Sequence, residues 1–416
     1  MKLKKILTLA SILCLSLSIV SCSTNTDSKN NSQGESGKKQ LRFAIWDLEQ
    51  KPGFEEIVTK FNEENPDINV VIEVTPYKNY FTTLDTAAQA NNLPDIFTIN
   101  APNFLKYQEG GKLMDLSECN IDLNEFNQAV TEIYTVDNKI YALPRDFDAI
   151  GMFYNKKLFN ELGLEPPKTY DEMIEVAKKL KENDPNIIPI LIPHTDNQAG
   201  YWNLVIQAGG EIVNEDGTSG WDSSEALEAM NFYNNLVQDG LSIKPTKSEG
   251  IDNITSVANK KIGMFYSGVW TTAEVSQLSN KEDIDIAPLP TSGKNDISSV
   301  IHGVGTAVAE NTKYPEEAKK FIEFMASDEA NKILAEKSGV MPAKNGFADT
   351  LYKANSNLTG LKDTVESASR GVGYFKSGKT GWDSKEVEII TKMLNGDLTP
   401  EETVKMLADE ANKILK

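Results

Sequence analysis

Histidine is close to absent: His194 and His302 are the only two in 416 residues. That excludes a histidine-rich metal centre, and any Ser-His-Asp triad must draw on one of the two. No G-x-S-x-G elbow is present to supply a nucleophile. Positive charge is also in deficit, with 42 Lys and Arg against 61 Asp and Glu and a formal net charge of −19. Nucleic acid and anionic lipid would both be repelled, so neither is expected as a partner. Cysteine numbers three. At the N-terminus Lys2, Lys4 and Lys5 precede an apolar run, Ile6 to Val20, which closes on Ser21-Cys22. A basic segment, a short apolar one and a small-residue cleavage point read as an export signal over residues 1–21, too short to span a bilayer. Loss of its three lysines takes the net charge to −22.

Cleavage there makes Cys22 the new N-terminus, and the arrangement resembles the lipid-modified signal of bacterial lipoproteins. Cys119 is then the one remaining thiol, so no intrachain disulfide can form. It is expected to behave as a buried or half-buried small apolar residue. Residues 22–40, rich in Ser, Asn, Gly, Asp and Lys, read as a flexible tether.

From Leu41 onward the chain is long enough for two core-bearing domains. Strands are predicted over Leu41–Trp46, Ile68–Val74 and Asp95–Ile99. Helices are predicted between them, over Gly53–Asn65 and about Asn79–Ala90. Strands alternating with helices predict a parallel sheet covered on both faces, with ligands beyond the carboxyl ends of its strands. Two such ends are Trp46-Asp47 and Asn100 to Asn103. A second α/β unit follows, with helices at Tyr170–Lys181, Tyr201–Gly210 and Ser223–Val237, strands at Ile187–Ile192, Ile262–Tyr266 and Ile284–Ala287, and a turn at Asn214–Gly217. His302–Val308 is a second candidate crossing between the units. Helices follow at about Tyr314–Ala326 and Asp328–Lys337. The tail is helical, and Thr399-Pro400-Glu401-Glu402 opens its last helix with a capping box.

The stretch that organises the rest is Lys139–Phe159, KIYALPRDFDAIGMFYNKKLF. It predicts a short strand (Ile140–Leu143), a proline-fixed step carrying Arg145, Asp146 and Asp148, a second strand (Ile150–Tyr154) and a helix start at Asn155. Charges held between strands place a polar cleft here, although Arg145 can equally pair with Asp146. A glycosidase needs only two carboxylates, so Asp146 with Asp148 leave that chemistry open. Gly373–Thr380 matches G-x-x-x-x-G-K-[ST], but no apolar strand precedes it, so it is taken as a glycine-rich loop leading to Trp382 and not as a nucleotide cradle. A sugar cleft calls for aromatic faces and planar polar groups. Trp46, Trp202, Trp270 and Trp382 fall at element ends, whereas Trp221 is taken as structural.

The segment from Pro144 through Met152-Phe153-Tyr154-Asn155-Lys156 resembles the lobe-crossing segment of extracellular solute-binding proteins of sugar importers, the maltose-binding-protein family. Leu93-Pro94-Asp95-Ile96, Ala208-Gly209-Gly210, Gly263-Met264 through Trp270, and Tyr314-Pro315-Glu316-Glu317-Ala318 extend the resemblance over Leu41 to Lys416. It implies an α/β, two-lobed periplasmic-binding-protein-like fold with hinge crossings and a C-terminal helical segment. One lobe would comprise 41–147 plus 303–345, the other 148–302 plus 346–416. It further implies an ABC-importer lipoprotein that captures a mono- or oligosaccharide without catalysis or cofactor. Such a protein is anchored through Cys22 to the outer face of the cell membrane, acts as a monomer and serves a permease with a separate ATPase. By motif, Trp202, Trp270 and Trp382 match sugar-stacking positions and Asp148 an acidic contact. Asn100 and Asn103 stand where the family places ligand contacts, with amides in place of a charged pair. Trp46, Asp47, Arg145 and Asp146 complete the predicted ligand site. A polyamine, peptide or metal binder, a secreted glycoside-active enzyme and a non-transport surface protein are the readings from other classes.

Overall fold

The computed structural model describes residues 37–214, 216–248, 250–294, 299–371 and 382–415. The export signal, Cys22, most of the tether and the glycine-rich match at 373–380 lie outside the described residues. The strands are β1 (Lys39–Ile45), β2 (Ile68–Val74), β3 (Ile96–Asn100), β4 (Thr135–Val136), β5 (Lys139–Ile140), β6 (Leu143–Asn155), β7 (Ile188–Leu191), β8 (Ile262–Gly268), β9 (Ile284–Pro288), β10 (Ser299–Val308), β11 (Met341–Pro342) and β12 (Ala368–Gly371). The main sheet runs β2-β1-β3-β10-β6-β8-β7, with β11 and β9 pairing β6 and β12 pairing β10. Parallel pairs (β1 with β2 and β3, β7 with β8) flank an antiparallel centre in which β10 lies between β3 and β6.

β1 begins at Lys39, inside the stretch predicted as tether. Lys39 pairs with Ile68 in register and its ammonium contacts Glu317, two anchors distant in sequence. Helices at Lys51–Glu64 and Tyr77–Gln89 link the first three strands and bury one stripe each, Phe54, Ile57, Val58 and Phe61 in the first. The helix predicted to run to Lys337 instead changes at Leu334 into a π-type turn ended by Gly339 at φ 66°.

β6 is the largest departure from expectation. A single 13-residue strand, buried throughout, replaces the predicted strand, step and strand. Pro144 is tolerated because it stands one residue from the strand's start and beside an irregularity. Val304 of β10 opposes Asp146 and Gly305 opposes Pro144, which leaves Arg145 without a partner across the pair: a β-bulge. The N-terminal half of β6 lies between β10 and β11, and its C-terminal half between β8 and β9. The C-terminal half of this strand serves two hydrophobic clusters, one on each face, with Phe153 in the first and Ile150, Met152 and Tyr154 in the second. The first holds Phe43, Phe54, Ile99, Phe147 and Phe321, and also Val257, Phe265 and Ile286. The second holds Ile150, Met152, Trp202, Trp221, Tyr233 and Leu407. β10 also contributes to both, with Val300 in the second cluster and Ile301, Ala307 and Val308 in the first.

The tail forms two helices, Trp382–Asn395 and Pro400–Leu415. The predicted capping box is reciprocal: Glu402 N donates to Thr399 Oγ1 at 3.2 Å and Thr399 N to Glu402 Oε2 at 2.9 Å. Thr399→Ala is expected to cost about 1 kcal/mol, read as a lower urea midpoint at unchanged slope. Cys119 is half-buried and free, and no helix among the described residues is long and apolar enough to cross a membrane.

Candidate ligand-binding site

A cavity of about 1,050 Å³ opens where β1, β2 and β3 end, beside β6 and β10. That volume stands at the upper end of the range for small-ligand pockets. Its walls come from residues distant in the chain, and the reasons they converge are local.

Trp46-Asp47 directly follow the end of β1. The half-buried Trp46 packs edge-on to Tyr77 and Tyr80, with ring centres 5.6 and 5.3 Å apart. β3 ends in Asn100, whose Nδ2 donates to the Tyr77 hydroxyl at 3.1 Å and whose Oδ1 accepts from Asn103 at 2.9 Å. Tyr77 is exposed, so this amide pair and its aromatic neighbours form one wall facing outward. In a regular strand Arg145 and Asp146 would point to opposite faces. The bulge lets both line the cavity, together with Asp148 two residues on. Arg145 Nε donates to Asp146, Nη1 donates to Thr98 Oγ1 at 2.8 Å, and the guanidinium lies 4.9 Å from the centre of the Phe54 ring. A buried charge so held is tolerable where a lone one would cost several kcal/mol.

The opposite wall carries Trp270. Its ring lies over Gly268, where a Cβ would fall about 1.9 Å from a ring atom, so only glycine admits this placement. The Trp270 ring is tilted against His302 at 5.7 Å. Thr195 to Gln198, beyond β7, close the cavity. That loop doubles back so tightly that a Cβ on Gly200 would meet the Pro193 carbonyl oxygen at 2.0 Å. Asn197 Nδ2 anchors it by donating to Glu386 Oε2 at 2.7 Å.

The electrostatics follow from burial. Desolvation pushes Asp47 up to about 7, helped by a hydrogen bond with the Glu49 side chain and its charge. Burial raises Asp146, and the Arg145 guanidinium opposes that rise. Asp148 is held well above the ordinary carboxylate range by burial first and the charge of Asp146 second. Burial pushes His302 down to about 4, so its imidazole is neutral at pH 7.

Of the ten predicted ligand residues, Trp46, Asp47, Asn100, Asn103, Arg145, Asp146, Asp148 and Trp270 line the cavity. Trp202 and Trp382 do not. Both sit in the second cluster, 1% and 4% exposed. Trp202 Nε1 donates to Glu386 Oε1 at 3.0 Å, the carboxylate that also holds Asn197, so Trp202 braces the loop instead of offering a face. Trp382 is the first residue of a helix packed into that cluster. Sequence reasoning missed Thr195, Asp196, Asn197, Gln198 and His302. The first four form a polar run beyond a predicted strand, the signal that selected Trp46-Asp47 and Asn100–Asn103. His302 carried no signal of its own beyond standing in a candidate crossing.

A family model described as bacterial extracellular solute-binding protein matches residues 46–332. The multiple sugar-binding protein of Streptococcus mutans is 25% identical over 350 residues, covering 80% of this chain and 82% of its own. The diacetylchitobiose binding protein DasA of Streptomyces coelicolor is 26% identical over 432 residues, 99% of each. An ABC substrate-binding protein of Listeria monocytogenes, solved with cycloalternan, shares 25% identity at a TM-score of 0.80 over 90% of this chain and 98% of that one. The architecture they share is α/β and two-lobed. A match over most of its length, with the cavity at the strand crossings, makes this chain a member of the bacterial extracellular solute-binding protein family.

Proposed function

We propose that this protein is the substrate-binding lipoprotein of an ABC importer, capturing a mono- or oligosaccharide in the cavity between its lobes. The observation that carries the reading is the make-up of that cavity. Two half-buried tryptophan rings, Trp46 and Trp270, face a space that also holds Asn100, Asn103 and the carboxylate of Asp148. Indole faces suit the apolar side of a pyranose, and amides and carboxylates suit its hydroxyls. Relatives named for sugars at 25–26% identity support it.

The finer parts of the reading belong together. Residues 41–147 with 303–345 form one lobe and 148–302 with 346–416 the other, hinged where β6 and β10 cross. Trp46, Asp47, Asn100, Asn103, Arg145, Asp146, Asp148 and Trp270 contact ligand. Cys22 carries the lipid that holds the protein outside the cell membrane, and a permease with a separate ATPase receives the sugar from the monomer. Binding is the whole of its chemistry in this reading, and relatives named as binding proteins support it.

A thermal-shift screen of the purified protein against mono- and oligosaccharides tests this, with spermidine, Fe(III) and peptides as controls. A sugar at about 100 times its Kd is expected to add about 2.7 kcal/mol, several degrees of melting temperature. A shift with a control and with no sugar overturns the carbohydrate assignment.

A further inference from the structure

Two polar atoms at the strand crossing have no hydrogen-bond partner among the described residues although both are buried: Asp148 Oδ1 and His302 Nε2. They belong to residues directly opposite each other in the antiparallel pairing of β6 with β10, so their side chains leave the sheet on the same face. Both residues line the cavity. Asp148 also takes a hydrogen bond from the Trp270 backbone, and the Gln198 backbone engages the other nitrogen of His302, which leaves Nε2 as an acceptor. The Trp270 ring stands 5.7 Å from the imidazole. An unpartnered buried acceptor costs about 1–3 kcal/mol, and here two leave the sheet on one face.

The wider wall is rich in acids and poor in cations. Asp47, Glu49, Asp146, Asp148 and Asp196 line the cavity, and Arg145, already paired with Asp146, is the one Lys or Arg among the described lining residues.

Building on the carbohydrate reading, we propose that Trp270, Asp148 and His302 form one subsite that reads a pair of adjacent hydroxyls on the bound sugar, and that the cavity takes uncharged sugars and rejects sugar acids. A ring stacked on Trp270 directs its edge toward both atoms. One hydroxyl meets Asp148 Oδ1 and its neighbour donates to His302 Nε2. A uronate or sugar phosphate brings a negative charge into a wall of acids whose described lining residues offer no uncommitted guanidinium or ammonium group to receive it.

The test is a cycle of ligand and protein changes read by calorimetry. The probes are maltose, cellobiose, lactose and xylobiose, followed by the monodeoxy derivatives and the uronate of whichever binds most tightly. With the unmodified protein, removing the hydroxyl read by His302 is expected to weaken binding about 10- to 100-fold. His302→Leu is expected to weaken the parent sugar similarly and to lose nothing more when that hydroxyl is removed. His302→Gln, which keeps an amide acceptor, retains part of the affinity, and melting curves of both variants establish that they fold. The uronate is expected to bind at least 100-fold more weakly than the neutral parent.

Additive losses for every deoxy sugar would overturn the role of His302, and a uronate equal to its parent would overturn the charge rule. Failure of all neutral sugars, with a shift by a non-sugar control in the screen above, would instead remove the carbohydrate reading on which this subsite rests.

Discussion

Replacing Trp270 by alanine is expected to weaken sugar binding about 100-fold, the largest single loss from any one side chain of the cavity. The ring is half-buried, so one part already packs against Gly268 and His302 while the rest lines the cavity. Truncation removes the stacking face and also frees the imidazole, whose orientation depends partly on that contact. Calorimetric titration of the sugar found by thermal shift measures the loss. Gly268→Ala serves as the companion variant, because its added methyl needs the space the ring occupies and must move the indole without deleting it. It is expected to lose affinity in the same direction but less, with ligand-induced tryptophan fluorescence changed. Unchanged affinity in Trp270→Ala would place the sugar elsewhere.

Asp148→Asn is expected to raise the stability of the unliganded protein at pH 8 by about 1–3 kcal/mol while weakening ligand binding. The sign follows from the raised pKa of this acid. The fold favours the protonated form, so the stability it contributes is full below about pH 4 and is lost as pH rises through the folded value. An asparagine side chain at this position carries no such penalty, so the two proteins converge in acid and separate as pH rises. Asp146 and Asp47 add to the penalty, Arg145 and the Trp270 backbone reduce it, and His302 faces it across the strands. Asp47, pushed up to about 7, gives a loss of the same sign between about pH 4 and 7. His302 works the other way. Its depressed pKa means stability present above about 6.5 and lost as pH falls toward about 4. Urea unfolding of both proteins between pH 4 and 8 measures the effect, and a gap that stays constant with pH would show that Asp148 does not titrate as buried. The same substitution removes an acceptor from the sugar, so a stabler protein that binds less well is the expected pattern.

Much of the secondary structure was legible because its causes are local. Ile68–Val74 forms a strand as predicted, the helix predicted over Ser223–Val237 runs from Ser224 to Gln238 with Ser223 as its cap, and Thr399 with Glu402 makes its box, since each depends only on residues a few positions away. Strand ends were legible for the same reason, and they located Trp46, Asp47, Asn100 and Asn103 at the cavity.

What is decided at long range was not legible. The sequence showed Pro144 and three charges and implied a break. The tertiary structure supplied Thr98, Phe54 and two flanking strands, and these make a continuous buried strand cheaper than an exposed step. The bulge at Arg145 exists only in the pairing with β10, more than 150 residues on, and it alone turns two adjacent charges into the same cavity. Trp202 and Trp270 are the same residue type at comparable motif positions. Glu386 draws the first into the core and Gly268 lays the second along the cavity wall. By itself the sequence determined the periodicities, the caps and the sign of the charge, all readable from neighbours along the chain. Only the tertiary structure decided which polar atoms are left without partners, because that depends on the sum of all groups packed around them.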